Sequence, residues 1–198
     1  MTIPVDKFVN FQGSMIHYLI CGAENPGGWV ILLHGKRFSA KDWQESSLLD
    51  QLEKENHKVL ALDLPGYGLS EKLSTEKNFE DFIFEFSKQL TLPAFHLIGP
   101  SFSGEISLKF AIKYPELLLS LTLIDSINVD QYEKQLNEIA AKTLIVWGKE
   151  DQIAPYNYAL LLKDKIPNSQ LLTFDHLGHT CYFDDMATFS QNILLFLR

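Results

Sequence analysis

The chain reads as an α/β protein built on a mostly parallel, eight-stranded sheet with helices on both faces. Two observations carry that reading. From about residue 29 onward, short apolar runs of strand length alternate with longer stretches of helical character. Parallel neighbours need a crossover, and helices supply it, so such alternation implies a sheet covered on both faces. The run Trp29 to Leu33 is also apolar throughout, as a strand buried on both sides should be.

The expected strands fall near 5–11, 14–21, 29–34, 57–62, 94–99, 118–124, 143–147 and 169–174. The first two meet at Gln12-Gly13 and read as a hairpin. Helices are expected near 40–54, 76–91, 102–114, 155–166 and 184–197. Neither a repeat nor a low-complexity linker divides the chain, so one domain spanning 1–198 is expected. Only Ser126 to Lys142 separates the sixth strand from the seventh. That is room for a loop and one short helix near 130–140, and no separate cap domain fits. A site without a cap is open to solvent and admits an acyl group carried on something bulky.

At 198 residues, 46% hydrophobic and 21% charged, the composition is that of an ordinary globular protein with a full core. A net charge of −8 disfavours nonspecific contact with nucleic acid or anionic membrane surfaces. No apolar run has the length of a membrane span. The start, MTIPVDKFVNF, lacks the basic and apolar regions of a signal peptide. Cys21 and Cys181 read as free thiols of a cytoplasmic protein, and they form no metal-spaced set.

Ser101 lies in HLIGPSFSG, where the strand-like run from Phe95 to Ile98 meets the helix-like stretch from Phe102 to Tyr114. This is the context of a nucleophile elbow, a sharp turn that lifts a serine hydroxyl clear of a parallel sheet. Small residues must flank such a turn, and here they are Gly99 and Ser103. The commoner pattern is G-x-S-x-G; this chain reads G-x-S-x-S-G. A serine here also suits a helix N-cap, so its partners decide its meaning.

A serine hydroxyl is a weak nucleophile until a base takes its proton and a third group orients that base. Asp151 follows the strand Thr143 to Trp147, and His179 sits in a Gly-flanked loop after the strand Gln170 to Phe174. The order Ser101, Asp151, His179 is that of the α/β-hydrolases. All three fall at the carboxyl ends of expected strands, where open α/β sheets bind ligands. Asp125, at the end of the sixth strand, is the rival acid, and His176 the rival base. Asp151 is preferred for its strand-Gly-x-x-Asp setting, and His179 for following Gly178. Upstream, the strand ending at Leu33 runs into His34-Gly35-Lys36-Arg37-Phe38. In such sites that loop gives one backbone N–H to the oxyanion and the residue after the nucleophile gives the other, which points to the amides of Lys36 and Phe102.

His34 is expected to brace this loop. Arg37 either holds the loop by pairing with Asp63 or Asp42 or meets an anionic part of the substrate. Arg37, Phe38 and Ser103 are the expected substrate-facing residues. The turn LPGYG after the fourth strand is expected at the pocket floor and rim, and Cys181 in the pocket wall.

The segments LLHGKRFSAKDWQ, LDLPGYGLS, GPSFSG, LIVWGKEDQ and LGHTCY together resemble the abhydrolase-domain-fourteen family, small α/β-hydrolases without a cap. The resemblance runs from about residue 29 to the C-terminus. It implies activity on simple esters and other acyl groups, with Ser101 as nucleophile, Asp151 as acid and His179 as base. The expected chemistry is two-step acyl transfer through an acyl-enzyme, requiring no metal or other cofactor. Three alternatives stay open: a haloperoxidase-like or carbon-carbon bond hydrolase with the same residues, an acyltransferase or deacylase using a thiol or amine acceptor, and a non-catalytic interaction module on the same fold.

Overall fold

The structure, a computed structural model, describes residues 3–22 and 27–198. Met1 and Thr2, at the head of the stretch read as lacking a signal peptide, lie outside the described residues. Eight strands form one sheet: β1 (Val5–Phe11), β2 (Ser14–Gly22), β3 (Gly28–Leu32), β4 (His57–Leu62), β5 (Phe95–Pro100), β6 (Leu118–Ile124), β7 (Lys142–Gly148) and β8 (Ser169–Phe174). Their order is β1-β2-β4-β3-β5-β6-β7-β8. From β4 through β3 to β8 all neighbours are parallel, while β1–β2 and β2–β4 are antiparallel. The hairpin forms where expected. Gln12 and Gly13 both have positive φ, 52° and 91°, which matches the twist of a two-residue hairpin turn.

Among the described residues the α-helices are α1 (Ala40–Glu45), α2 (Leu48–Lys54), α3 (Phe79–Gln89), α4 (Phe102–Lys113), α5 (Asn157–Lys165), α6 (Cys181–Asp184) and α7 (Met186–Leu197). Successive strand residues point to opposite faces, and that alternation divides the core in two. Val30, Leu32, Val59 and Ala61 pack with Trp43, Leu48, Leu52, Phe189 and Ile193 from α1, α2 and α7. Ile31, Leu60 and Leu97 pack with Phe82, Phe86, Leu108, Phe110 and Leu162 from α3, α4 and α5. Burying each of the valine, leucine, isoleucine and phenylalanine side chains contributes about 1.5–3 kcal/mol. Both faces of β3 are therefore apolar, which is why its sequence shows no alternation.

Three helical expectations need correction. The stretch 40–54 is two helices, because Ser46 turns extended and its hydroxyl bonds the Trp43 carbonyl at 2.7 Å and accepts from the Leu48 amide at 3.3 Å. A serine side chain that bonds nearby backbone in this way competes with helix continuation. Between β6 and β7 the short helix is a 3-10 segment, Val129–Glu138, entered through a left-handed Asn128. The C-terminal helix is preceded by α6 and interrupted at Asp185, whose carboxylate accepts from the Thr188 amide and caps α7. As expected, no cap domain stands between β6 and β7.

Cys21 and Cys181 are both free and buried. Among the described residues no helix is long and apolar enough to cross a membrane. At the amino-terminal edge of the parallel strands, His57 and His96 meet edge-on with ring centroids 5.7 Å apart, and His96 Nδ1 pairs with Ser120 Oγ at 2.8 Å. Burial first, then the positive potential of His57 and Lys142, lowers the His96 pKa from 6.5 to about 4. The unfolded chain takes that proton readily and the folded one resists it. Stability present above pH 6.5 should therefore be lost progressively as pH falls toward about 4. Thermal midpoints measured across that window should drop less in His96→Gln than in the parent; equal drops would remove His96 as the cause.

Candidate active site

The turn between β5 and α4 is sharp because Ser101 adopts φ 54° and ψ −115°, a region a non-glycine residue occupies only under constraint. Its amide is tied to the Ile124 carbonyl at 2.7 Å, so β6 helps to hold the strain. Close packing demands glycine at position 99: a Cβ there would overlap Ser107 Oγ and the Ser103 carbonyl oxygen. The Ser101 hydroxyl makes no helix-capping bond. It pairs instead with His179 Nε2 at 2.7 Å.

The chain of contacts continues inward. His179 Nδ1 meets Asp151 Oδ2 at 2.7 Å, and Asp151 Oδ1 accepts from the amides of Ile153 and Ala154 at 2.7 and 2.9 Å. The Asp151 side chain is fully buried, and three donors compensate its charge. Facing a carboxylate, Nδ1 carries the hydrogen, so the Nε2 lone pair is turned to the Ser101 hydroxyl. His179 retains 18% side-chain exposure, enough to reach both the interior carboxylate and an outside reactant. His176 points away: its side chain is 92% exposed beside Glu150.

Lys36 and Phe102 lie with Ser101 and His179 around one cleft of about 390 Å³. Neither backbone amide has a hydrogen-bond partner among the described residues. The loop carrying Lys36 is held by His34, whose Nδ1 donates to the Gly35 carbonyl at 2.9 Å while Nε2 accepts from the Leu64 amide at 3.1 Å. Burial lowers the His34 pKa, which suits a ring used as a neutral donor and acceptor.

Arg37 and Phe38 line the cleft. Arg37 is exposed and forms no ion pair with Asp63 or Asp42. Asp63 is engaged elsewhere, by His17 and the amides of Ala40 and Leu69, and Asp42 caps α1 at Ser39. Ser103 does not reach the cleft. It is fully buried and its hydroxyl donates to the His34 carbonyl, so this side chain ties the elbow to the neighbouring loop. The LPGYG turn also lies behind the cleft: Tyr67 packs on His34 and Phe102 at ring distances of 5.3 and 5.9 Å. Cys181 is buried beneath the site, its thiol bonded to Asp125 Oδ2 at 3.1 Å. Ile127, Ile153, Thr180 and Tyr182 also line the cleft and are not singled out by the sequence. Ile153 remains 65% exposed at the cleft mouth and Ile127 is half-buried.

Among the described residues one cluster has metal-like composition: the facing atoms of Asp125, Asp151 and His179 lie within 4.8 Å of one another. Hydrogen bonds already account for it. Asp125 accepts from the Gly148 amide at 2.9 Å and from Cys181, while Asp151 and His179 engage each other.

Comparison with known proteins agrees with this architecture. A family model described as the alpha/beta hydrolase fold matches residues 28–132 and 124–185. The Pongo abelii protein named "Putative protein-lysine deacylase ABHD14B" is 31% identical over 176 residues, covering 85% of this chain and 82% of its own length. Rat "Protein ABHD14A" is 28% identical over 172 residues, covering 85% of this chain and 71% of its own. In structure, a "predicted CIB-like hydrolase" from Thermoplasma acidophilum superimposes with a TM-score of 0.92 at 23% identity, covering 98% and 97% of the two chains. The chain belongs to the α/β-hydrolase-fold family, alongside its ABHD14 members.

Proposed function

We propose that this protein is a serine hydrolase that cleaves carboxylic esters and related acyl groups through an acyl-enzyme on Ser101. The observation that carries the reading is the unbroken Asp151–His179–Ser101 relay, with 2.7 Å at each link, mounted on a strained elbow. In the reaction His179 takes the Ser101 proton as the hydroxyl oxygen attacks the acyl carbon. The amides of Lys36 and Phe102 hold the developing oxyanion; each such donor is worth about a hundred- to a thousandfold in rate. His179 then protonates the leaving group, and water attacks the acyl-enzyme with His179 again as base. Residues 1–198 act as a single domain in this reading, and the free thiols suit a cytoplasmic setting.

A second reading, release of an acyl group from an amine, draws support from the ground beside the cleft. An adjoining groove of about 640 Å³ shares Phe38 and Thr180 with it and carries Asp42, Glu45 and Asp184, charges that suit a cationic leaving group. The relative named as a protein-lysine deacylase points the same way.

A fluorophosphonate should label the protein at Ser101, and a panel of activated esters beside acyl-lysine peptides should show which leaving group is preferred. Failure to label overturns the nucleophile assignment, and with it both readings.

A further inference from the structure

Asp125 is a carboxyl group that this mechanism leaves without a task. It is fully buried at the end of β6, with φ 43°, and its amide is tied to the Val146 carbonyl at 3.0 Å. The groups that face it are Asp151 from the loop after β7, the Gly148 amide, Cys181 of α6, and Tyr182, with His179 beyond Asp151.

Two carboxyl groups whose facing oxygens lie within 4.8 Å of each other in a dry interior cannot both ionise without a large Coulombic cost, so one keeps a proton. Donor counting decides which. Asp151 receives three N–H donors, two from backbone and one from His179. Asp125 receives one backbone N–H and one weak thiol donor. The charge rests on Asp151 and the proton on Asp125, which thereby gains a donor to offer its neighbour.

We propose, building on the serine-hydrolase reading above, that Asp125 is a positioning residue: a protonated carboxyl that donates to Asp151 and holds that carboxylate against His179. The direction of its titration agrees. Burial first, and then the Asp151 charge among the other causes, pushes the Asp125 pKa up to about 8. Ionisation above that point replaces a hydrogen bond with repulsion between two buried carboxylates and turns Asp151 away from the imidazole. Cys181 and Tyr182, both pushed further up by burial, do not ionise in the same range.

The test compares the parent with Asp125→Asn and Asp125→Ala on an activated ester from about pH 6 to about pH 10. Asparagine keeps a donor for Asp151 and an acceptor for Gly148, and it cannot ionise. Asp125→Ala should lower kcat about a hundredfold with KM little changed, the scale of loss from a misplaced catalytic group, and Asp125→Asn should restore most of it. The parent should lose kcat as pH rises through about 8, whereas Asp125→Asn should hold its rate. An alkaline decline identical in parent and Asp125→Asn overturns the proposal, as does Asp125→Asn being as slow as Asp125→Ala at an unchanged thermal midpoint. Should Asp125→Ala fail to fold, the pH comparison of the other two decides alone. Ser101→Ala separates the two levels: if it still turns over, the hydrolase reading falls and takes this proposal with it. If it is inactive while both Asp125 variants follow the parent, only this proposal falls.

Discussion

Ser101→Ala should lower the turnover of an activated ester by about a millionfold, the scale seen when the attacking group of a serine relay is removed. Cys181 is buried behind the imidazole and its pKa is raised by burial and by Asp125, so it offers no competing nucleophile. The substitution removes one oxygen that bonds only His179, while the backbone bond from residue 101 to Ile124 remains. The fold should therefore persist, with an unchanged circular dichroism spectrum and a thermal midpoint near that of the parent. Burst kinetics of an activated ester provide the measurement. A retained burst in Ser101→Ala, at parental amplitude, would transfer the nucleophile elsewhere.

Asp151→Asn should lower kcat by about ten thousandfold with KM little affected, the scale reported for losing the carboxylate of such a relay while its geometry is kept. The cause is electrostatic and tautomeric. An amide cannot stabilise the imidazolium that forms as Ser101 attacks, and its NH₂ group, if turned toward Nδ1, favours the hydrogen on Nε2. The two backbone donors from Ile153 and Ala154 still find an oxygen in asparagine, so the loop after β7 should hold. Parallel steady-state kinetics of Asp151→Asn and Asp125→Asn carry the comparison. Equal small losses in both would mean that neither carboxylate supplies the charge.

Much of this arrangement was legible before any coordinates. Strand positions followed from apolar runs, and the relay residues followed from where those runs stop, because the carboxyl edge of a parallel sheet gathers loop residues distant in sequence. The helical breaks at Ser46 and Asp185 were not legible, since each turns on one side chain choosing a backbone partner. The place of Ser103 is hidden in the sequence for a related reason. A small residue beside an elbow is permitted either by space or by a specific bond, and only geometry shows that the Ser103 hydroxyl is spent on the His34 carbonyl. For Arg37 the sequence leaves two roles open, and the pairing with Asp63 or Asp42 is closed because His17 and two amides hold Asp63 while Ser39 holds Asp42. The closeness of Asp125 to Asp151 depends on how two adjacent parallel strands end, which residue spacing does not encode.

That link from the Ser103 hydroxyl to the His34 carbonyl acts as a rivet between the tips of β5 and β3. The attacking oxygen and the amide loop beside it are thereby yoked, and a bound acyl chain cannot splay one from the other. Alignment and capacity become separable quantities. On the proposed hydrolase reading, exchanging Ile127 and Ile153, which line the same cleft and take no part in that link, for smaller or larger side chains should alter which acyl lengths are accommodated while Ser101 and the loop stay in register.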